Sequence, residues 1–306
     1  MACLWAARLW EMPEPLHYHR KITLLLRRQE EVQQLREHGG LRLSEHDNMF
    51  HAPVESSLIS QHSLPITHLL VCTKAQDVEE ALASVAHLFN ANTCIVLLQN
   101  GVKVQQQIAR LYQEQCVYAL STSQGAYLRA PFDVIHAGFG SSYLGLLTPT
   151  DTNPARCQED LLNHLPANTL DIHWDANITS RLWIKFAINC AINALTVIYN
   201  CRNGELLQNT HIRGELIALC AEIESIVNNV PQAAPIAGLF AQVETVLLAT
   251  ADNISSTLQD ARKGKTTEFA HFNPYLCQLA QQSQTANPVN THLIDLFSQC
   301  VVTLAD

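Results

Sequence analysis

RLWIKFAINCAINALTVIYNCRNGEL, residues 181–206, is long and apolar enough for one buried helix, yet a polar stripe runs through it. Lys185, Asn189 and Asn193 recur every four residues and therefore stack on one helical face. Leu182, Trp183, Phe186, Ala191, Ile192 and Leu195 are among the apolar residues around them. A helix that is hydrophobic on nearly every side is normally buried. A lysine and two amides in that setting need partners from protein, water or a ligand. Two readings follow: a polar network that fixes helix packing, or a cleft lined by a proton donor and two amide clamps.

Beyond this stretch the spacing predicts helices and no strand, over 178–199, 212–228, 236–251, 268–283 and 289–303. Before it the pattern differs. Short apolar runs at 22–26, 67–73, 94–98 and 117–122 have the length of buried strands. Helical segments at 3–10, 30–37, 77–89 and up to Leu111 lie before or between them. Strands alternating with helices of this length predict a mostly parallel α/β sheet with helices on both faces. Leu41 and Leu43 predict a small extra strand. Glycine-spaced segments at 134–136 and 143–145 predict an antiparallel closing part, residues 149–157 a surface loop, and 171–174 a last strand. The expected domains are 1–175, α/β, and 176–306, all-helical.

Composition narrows the function. The chain has 306 residues, a mean hydropathy of +0.02 and a formal charge of -9, so it offers no basic field for nucleic acid or an anionic membrane. Ten cysteines lack CxxC or Cys/His ligand spacing and read as reduced thiols of a cytoplasmic protein. Cys190 and Cys201 lie in or beside the polar-striped helix, where packing or reactivity are both open. The 14 histidines lack the paired spacing of ligands, so no metal site is expected. Neither an apolar run of about 18 residues nor a signal-peptide pattern is present, so neither a membrane span nor export is expected.

Four segments carry a resemblance: TKAQDVEEAL at 73–82, LQNG at 98–101, LWIKFAINCAINALTVIYNCRNGEL at 182–206 and SSTLQDARKGKTTE at 255–268. In this order and spacing they resemble the ketopantoate reductase (2-dehydropantoate 2-reductase) family over nearly the whole chain. The resemblance implies a Rossmann-like NADP-binding domain, then an all-helical domain, with the substrate held between them. It also implies reduction of the ketone of 2-dehydropantoate to pantoate, for pantothenate and coenzyme A synthesis. By motif, Lys185 matches the family's catalytic lysine, and Asn189, Asn193 and Asn203 match its substrate-contacting amides. Ser256 and Glu268 match the residues that complete the pocket. Arg27, Lys74 and Asn100 match cofactor-binding positions, Arg27 near the adenosine 2'-phosphate. The implied partner is a small 2-oxo acid, with no nucleic acid or membrane, and the chain is expected as a monomer or homodimer.

The chemistry suits these side chains. Hydride addition to a ketone builds negative charge on its oxygen, and a donor there lowers the barrier. Burial lowers a lysine's pKa and makes proton donation easier, while a nearby Glu268 favours the charged amine. Three amides that both donate and accept fit a substrate with carboxylate, ketone and hydroxyl groups. Ser256 is either a carboxylate-binding hydroxyl or a helix cap, and Glu268 either a partner of the lysine or a surface ion-pair residue. Lys74 and Asn100 follow predicted strands, where open α/β sheets bind ligands, and a cation at Arg27 favours NADP over NAD.

The front of the chain departs from the pattern. A dinucleotide fold opens with an apolar strand and GxGxxG, yet no glycine stands before Gly39. The first strand and glycine loop are therefore expected to be missing, with 3–10 as the body of the helix that should follow them. The segment between Trp10 and Ile22 is longer and more polar than the usual turn. Asn273-Pro274 stands where the family has Asn-Gly, and the proline is expected to shift the helix that presents Glu268. These departures support an alternative expectation, an inactive homologue acting as a binding or structural protein.

Overall fold

A computed structural model describes residues 1–12, 21–148 and 154–304, and the chain divides into two compact units. The first comprises Met1–Gln99 and Gln105–Ile178; the second comprises Asn100–Val104 and Thr179–Asp306. Most of the segment expected as a long turn after Trp10 lies outside the described residues.

In the first unit the chain enters α1 (Ala2–Trp10), then β1 (Thr23–Leu26) and α2 (Gln29–Glu37). Glu30 and Glu31 fall in the first turn of α2, where carboxylates favour the helix dipole. After Gly39-Gly40 come β2 (Leu41–Glu45), β3 (Asn48–Ala52), β4 (Glu55–Leu58) and β5 (His68–Val71). Then follow α3 (Val78–Val85), β6 (Cys94–Leu97), α4 (Lys103–Leu111) and β7 (Cys116–Thr122). The unit closes with β8 (Gly125–Ala130), β9 (Asp133–Gly138), β10 (Ser142–Leu146), α5 (Pro154–Asn163) and β11 (Ile172–Trp174). Helix α5 begins inside the expected loop at 149–157, with Pro154 at its first position, where no backbone N–H is required.

The main sheet runs β11-β10-β7-β6-β5. Its β5, β6 and β7 are mutually parallel, and β10 turns antiparallel onto β7. A second sheet runs β3-β2-β9-β8, and β1 pairs with β4 alone, in parallel. The expectation missed β3, β4 and β8. Their sequences, such as NMFHA and ESSL, carry no alternation to read, because their side chains are largely exposed or half-buried. Among the described residues no strand pairs with the outer edges of β1 and β5. Accordingly all four residues of the apolar TLLL run in β1 are only half-buried.

Leu4, Trp5 and Ala7 of α1 are fully buried, packed with Leu41 and Leu43 of β2 and Tyr118 and Leu120 of β7. Each large side chain among them contributes roughly 2–3 kcal/mol of apolar burial. Arg8 follows on the same helix and is only 6% exposed. It pairs with Glu11 and Glu45 and donates to His136 Nδ1 at 3.3 Å. His136 Nε2 lies 2.8 Å from Gln124 Oε1, and Gln124 in turn donates to the carbonyls of Gly140 and Leu170. Burial, then Arg8, holds the His136 pKa below its ordinary value.

The second unit consists of helices: α6 (Ile178–Ile198), α7 (Glu205–Gln208), α8 (Thr210–Asn228), α9 (Leu239–Ala249), α10 (Ser256–Arg262), α11 (Asn273–Gln282) and α12 (Pro288–Leu304). Helix α6 is long and apolar enough to cross a membrane, but 67% of its most apolar window is buried inside the protein. It is a core helix. The single helix expected over 268–283 is instead a 3-10 turn at Phe269–His271 followed by α11. Pro274 is the reason. It has no N–H to donate to a preceding turn, and it sits in the first turn of α11, where none is needed. Thus the proline starts a helix.

Candidate active site

Helix α6 carries Lys185, Asn189 and Asn193 over two turns. Its apolar side anchors it: Trp183 meets Phe186 edge-on, and Phe186 stacks on Phe272 and contacts Tyr275 at ring distances of 6.2 and 5.9 Å. Further along, the buried amide of Asn273 donates to the Cys190 carbonyl at 2.9 Å and to Asn290 Oδ1 at 2.9 Å. Asn290 returns a bond to the Asn273 carbonyl, and Glu222 accepts from the backbone N–H groups of Val289 and Asn290. This network fixes α6 against α11 and α12.

Lys185 is half-buried, and desolvation lowers its pKa from 10.5 to about 8. Glu268 acts in the opposite direction and favours the ammonium. Cys190 and Cys201 are both buried, and burial raises their thiol pKa values, Cys201 to about 11. Neither has the character of a nucleophile.

Asn189 is half-buried and Asn193 is 7% exposed. Thr196, one turn further on, donates to the Asn193 carbonyl at 2.8 Å and meets the Ser255 hydroxyl at 2.6 Å. Ser255 also caps α10 by accepting from the Leu258 N–H. The cap role left open for Ser256 therefore belongs to its neighbour, and Ser256 is exposed at the helix start. The Ser255–Thr196 pair ties the first turn of α10 to α6. Neither residue stood out in the sequence, since a serine beside a serine gives no sign of which one caps.

Asn203 sits in a turn locked onto the end of α9. Its backbone N–H donates to the Asn253 carbonyl, and its amide donates to Thr250 Oγ1 at 2.9 Å. Gly204 permits this approach: a Cβ there would stand 2.7 Å from Ala251 Cβ. The Asn203 Oδ1 is buried without a partner.

Asn100 belongs to the helical unit, not to the sheet unit in which the sequence placed it. It opens a turn with Gly101 at φ +89, a conformation that favours glycine. A Cβ at Gly101 would lie 3.6 Å from the His271 carbonyl. Lys103 follows, its ammonium 5.3 Å from the centre of the Tyr275 ring. Lys103 and His271 both escaped the sequence reading, because nothing in either local motif links residue 103 to residue 271.

In the sheet unit, Arg27 follows β1 and Lys74 follows β5, each just beyond the carboxyl end of its strand. Arg27 is exposed and lies 3.9 Å from Asp77, three residues after Lys74. Gln99 clamps the same end of the sheet by donating to the carbonyls of Val71 and Thr73. Thr73 Oγ1 and Gln99 Oε1 are buried there without partners. A cation beside such polar atoms fits the phosphate and amide groups of a nicotinamide dinucleotide. A glycine loop for the pyrophosphate is not among these residues, since the first glycine is Gly39.

The model described as Ketopantoate reductase PanE/ApbA matches residues 1–149, and Ketopantoate reductase PanE/ApbA C terminal matches residues 177–300. The 2-dehydropantoate 2-reductase of Escherichia coli O157:H7 is 33% identical over 231 residues, covering 76% of this chain and 73% of that protein. That of Yersinia pestis is 31% identical over 239 residues, covering 78% and 76%. Among solved structures, a D-mandelate dehydrogenase with NADH and anilino(oxo)acetate shares the fold at a TM-score of 0.83 and 22% identity, covering 98% of this chain and 96% of that one. A PanE/ApbA family ketopantoate reductase from Ralstonia eutropha JMP134 does so at 0.81 and 21%, covering 99% and 96%.

Proposed function

The chain belongs to the ketopantoate reductase family, and on that premise we propose that it reduces 2-dehydropantoate to pantoate with Lys185 as the proton donor. It is an oxidoreductase that uses NADPH, which supplies the hydride when bound. Arg27 and Lys74 would hold the cofactor's phosphate-bearing part, and Asn100 its nicotinamide side. The setting we propose is the cytoplasm.

The observation that carries this reading is Lys185 itself, an amine held near pH 8 by desolvation on a helical face that it shares with the amides of Asn189 and Asn193. At neutral pH it still carries its proton, yet gives it up more readily than a solvated lysine. As the ketone oxygen gains charge, the ammonium stabilises it and then transfers the proton. Asn189 and Asn193 stand on the same face to orient the substrate, and the orphaned Asn203 Oδ1 accepts its hydroxyl. The exposed Ser256 hydroxyl binds the carboxylate, and Glu268 keeps the lysine charged until reaction.

NADPH oxidation by the purified chain, followed with 2-dehydropantoate and with a panel of other 2-oxo acids, tests the reading. A rate that depends on 2-dehydropantoate and exceeds those of its competitors is expected. A chain that binds the acid but never oxidises NADPH would instead be the inactive homologue.

A further inference from the structure

We propose that His271 and Lys103 are positioning residues for Lys185, deciding through Glu268 how much negative charge the lysine faces. This rests on the reading of Lys185 as the proton donor.

Glu268 and His271 are the two ends of one tight turn, closed by the His271 N–H donating to the Glu268 carbonyl at 2.9 Å. The turn is held on both sides. Phe269 stacks on Phe297 of α12 with ring centres 3.5 Å apart, and the adjoining Phe272 stacks on Phe186, next to Lys185. Across from it lies the 101–103 segment, with Gly101 against the His271 carbonyl and Lys103 over Tyr275. One carboxylate therefore serves two bases, since Glu268 acts electrostatically on both Lys185 and His271. Lys103 acts on His271 with the opposite sign. The neighbouring α11 adds Tyr275 and Cys277 as titratable groups but no charged side chain, and His292 and Asp295 of α12 are exposed.

The consequence is a linkage. Burial, with Lys103 in support, disfavours a proton on His271, so Glu268 serves Lys185 undivided. When His271 is cationic it shares that carboxylate, and Lys185 holds its own proton less tightly. Coupling of this kind is reciprocal: whatever His271 does to Lys185, Lys185 does to His271. Lys103 has no motif to announce it, and its part follows only from where the start of α4 lies against α11.

Two readouts separate this inference from the proposed activity. The first needs no substrate: the imidazole titration of His271, followed by NMR and assigned by its loss in His271→Gln. Lys103→Met and Lys185→Met should each move that titration to higher pH by roughly half a unit, and Glu268→Gln should move it lower. Lys103→Arg should leave it in place. The second is the alkaline limb of log kcat. His271→Lys, which puts a permanent cation in the turn, should move that limb to lower pH by a similar amount, whereas His271→Gln should not. A His271 titration indifferent to Lys185 and Lys103 overturns the inference even in an inactive chain. So does an active His271→Lys enzyme whose rate falls equally at every pH, the mark of a merely structural role.

Discussion

At Lys185 two opposing effects meet, desolvation that expels the charge and Glu268 that keeps it, and desolvation is the larger. The first prediction concerns catalysis. Because the protonated amine is the donor, kcat is expected to fall as pH rises through about 8, and Lys185→Ala to lower kcat by about 10²–10⁴-fold with a smaller change in KM. Steady-state kinetics across pH checks both, and unchanged turnover in that variant would remove the lysine from the role. The second concerns stability. The folded chain holds a proton on this amine less tightly than the unfolded one, whose pKa is 10.5, so stability rises with pH between about 8 and 10.5. Below that window the cost of the buried charge is present in full. Lys185→Met is therefore expected to lower turnover as far as Lys185→Ala does while stabilising the fold by on the order of 1–2 kcal/mol, after allowance for the residue's partial exposure. A thermal melt at pH 7 that shows a lower Tm would contradict this. The residue was legible from its four-residue spacing with two asparagines; its depressed pKa follows from burial, which needs the packing of the whole helical unit.

Helices α6 and α10 meet through two hydroxyls, and here adjacent serines divide the work. Ser255→Ala removes a cap and one of the two hydrogen bonds of the buried Thr196 hydroxyl, which keeps its bond to the Asn193 carbonyl, a loss of about 1–2 kcal/mol. Ser256→Ala, at an exposed position, is expected to leave stability within about 0.5 kcal/mol and to raise KM for the 2-oxo acid. Denaturant unfolding of the pair, set beside their kinetics, checks this contrast; equal losses of stability would refute it. Asn273 does similar work for α6 and α11, because its amide is the link between the Cys190 carbonyl and Asn290. The family resemblance singled out Ser256 alone of the two serines, and Asn273 only as part of the departure Asn273-Pro274. It could not show which hydroxyl faces a helix end and which faces solvent, because that depends on the pitch at which α10 leaves its loop. The break before α11 was equally hidden: by its sequence Pro274 is expected to shift the helix that presents Glu268, whereas it stands in the first turn of a separate helix.

Across the whole molecule, acid sensitivity should centre on two imidazoles whose pKa burial lowers, His136 in the sheet unit and His271 in the helical unit, and the first can be followed by itself. His136 is buried, neutral and joined to Arg8, and its folded pKa lies below the ordinary 6.5. The unfolded chain then binds the proton first, so stability is lost as pH falls below about 6.5 toward the folded value. Hydrogen exchange at pH 5.5 against pH 7.5 is expected to show faster opening in α1, β2 and β9, and His136→Gln is expected to flatten that difference in those elements; an acceleration there that survives His136→Gln would refute the placement. The sequence by itself determined the order of elements and their type where apolar periodicity is strong: α1, β1, β5, β6, β7 and the long α6. It also determined the chemistry on offer, because Lys185, Asn189 and Asn193 share a face in any α-helix. Pairing and long-range contact were decided only by the tertiary structure. The largely exposed or half-buried strands β3, β4 and β8 exist because a neighbour holds them, Asn100 joins the helical unit, and Lys103 comes to lie over the ring of Tyr275, far along the chain. The physical reason is range: periodicity and motif report what lies within a few residues, whereas burial, pKa and ligand-facing lone pairs are set by groups far apart in the chain.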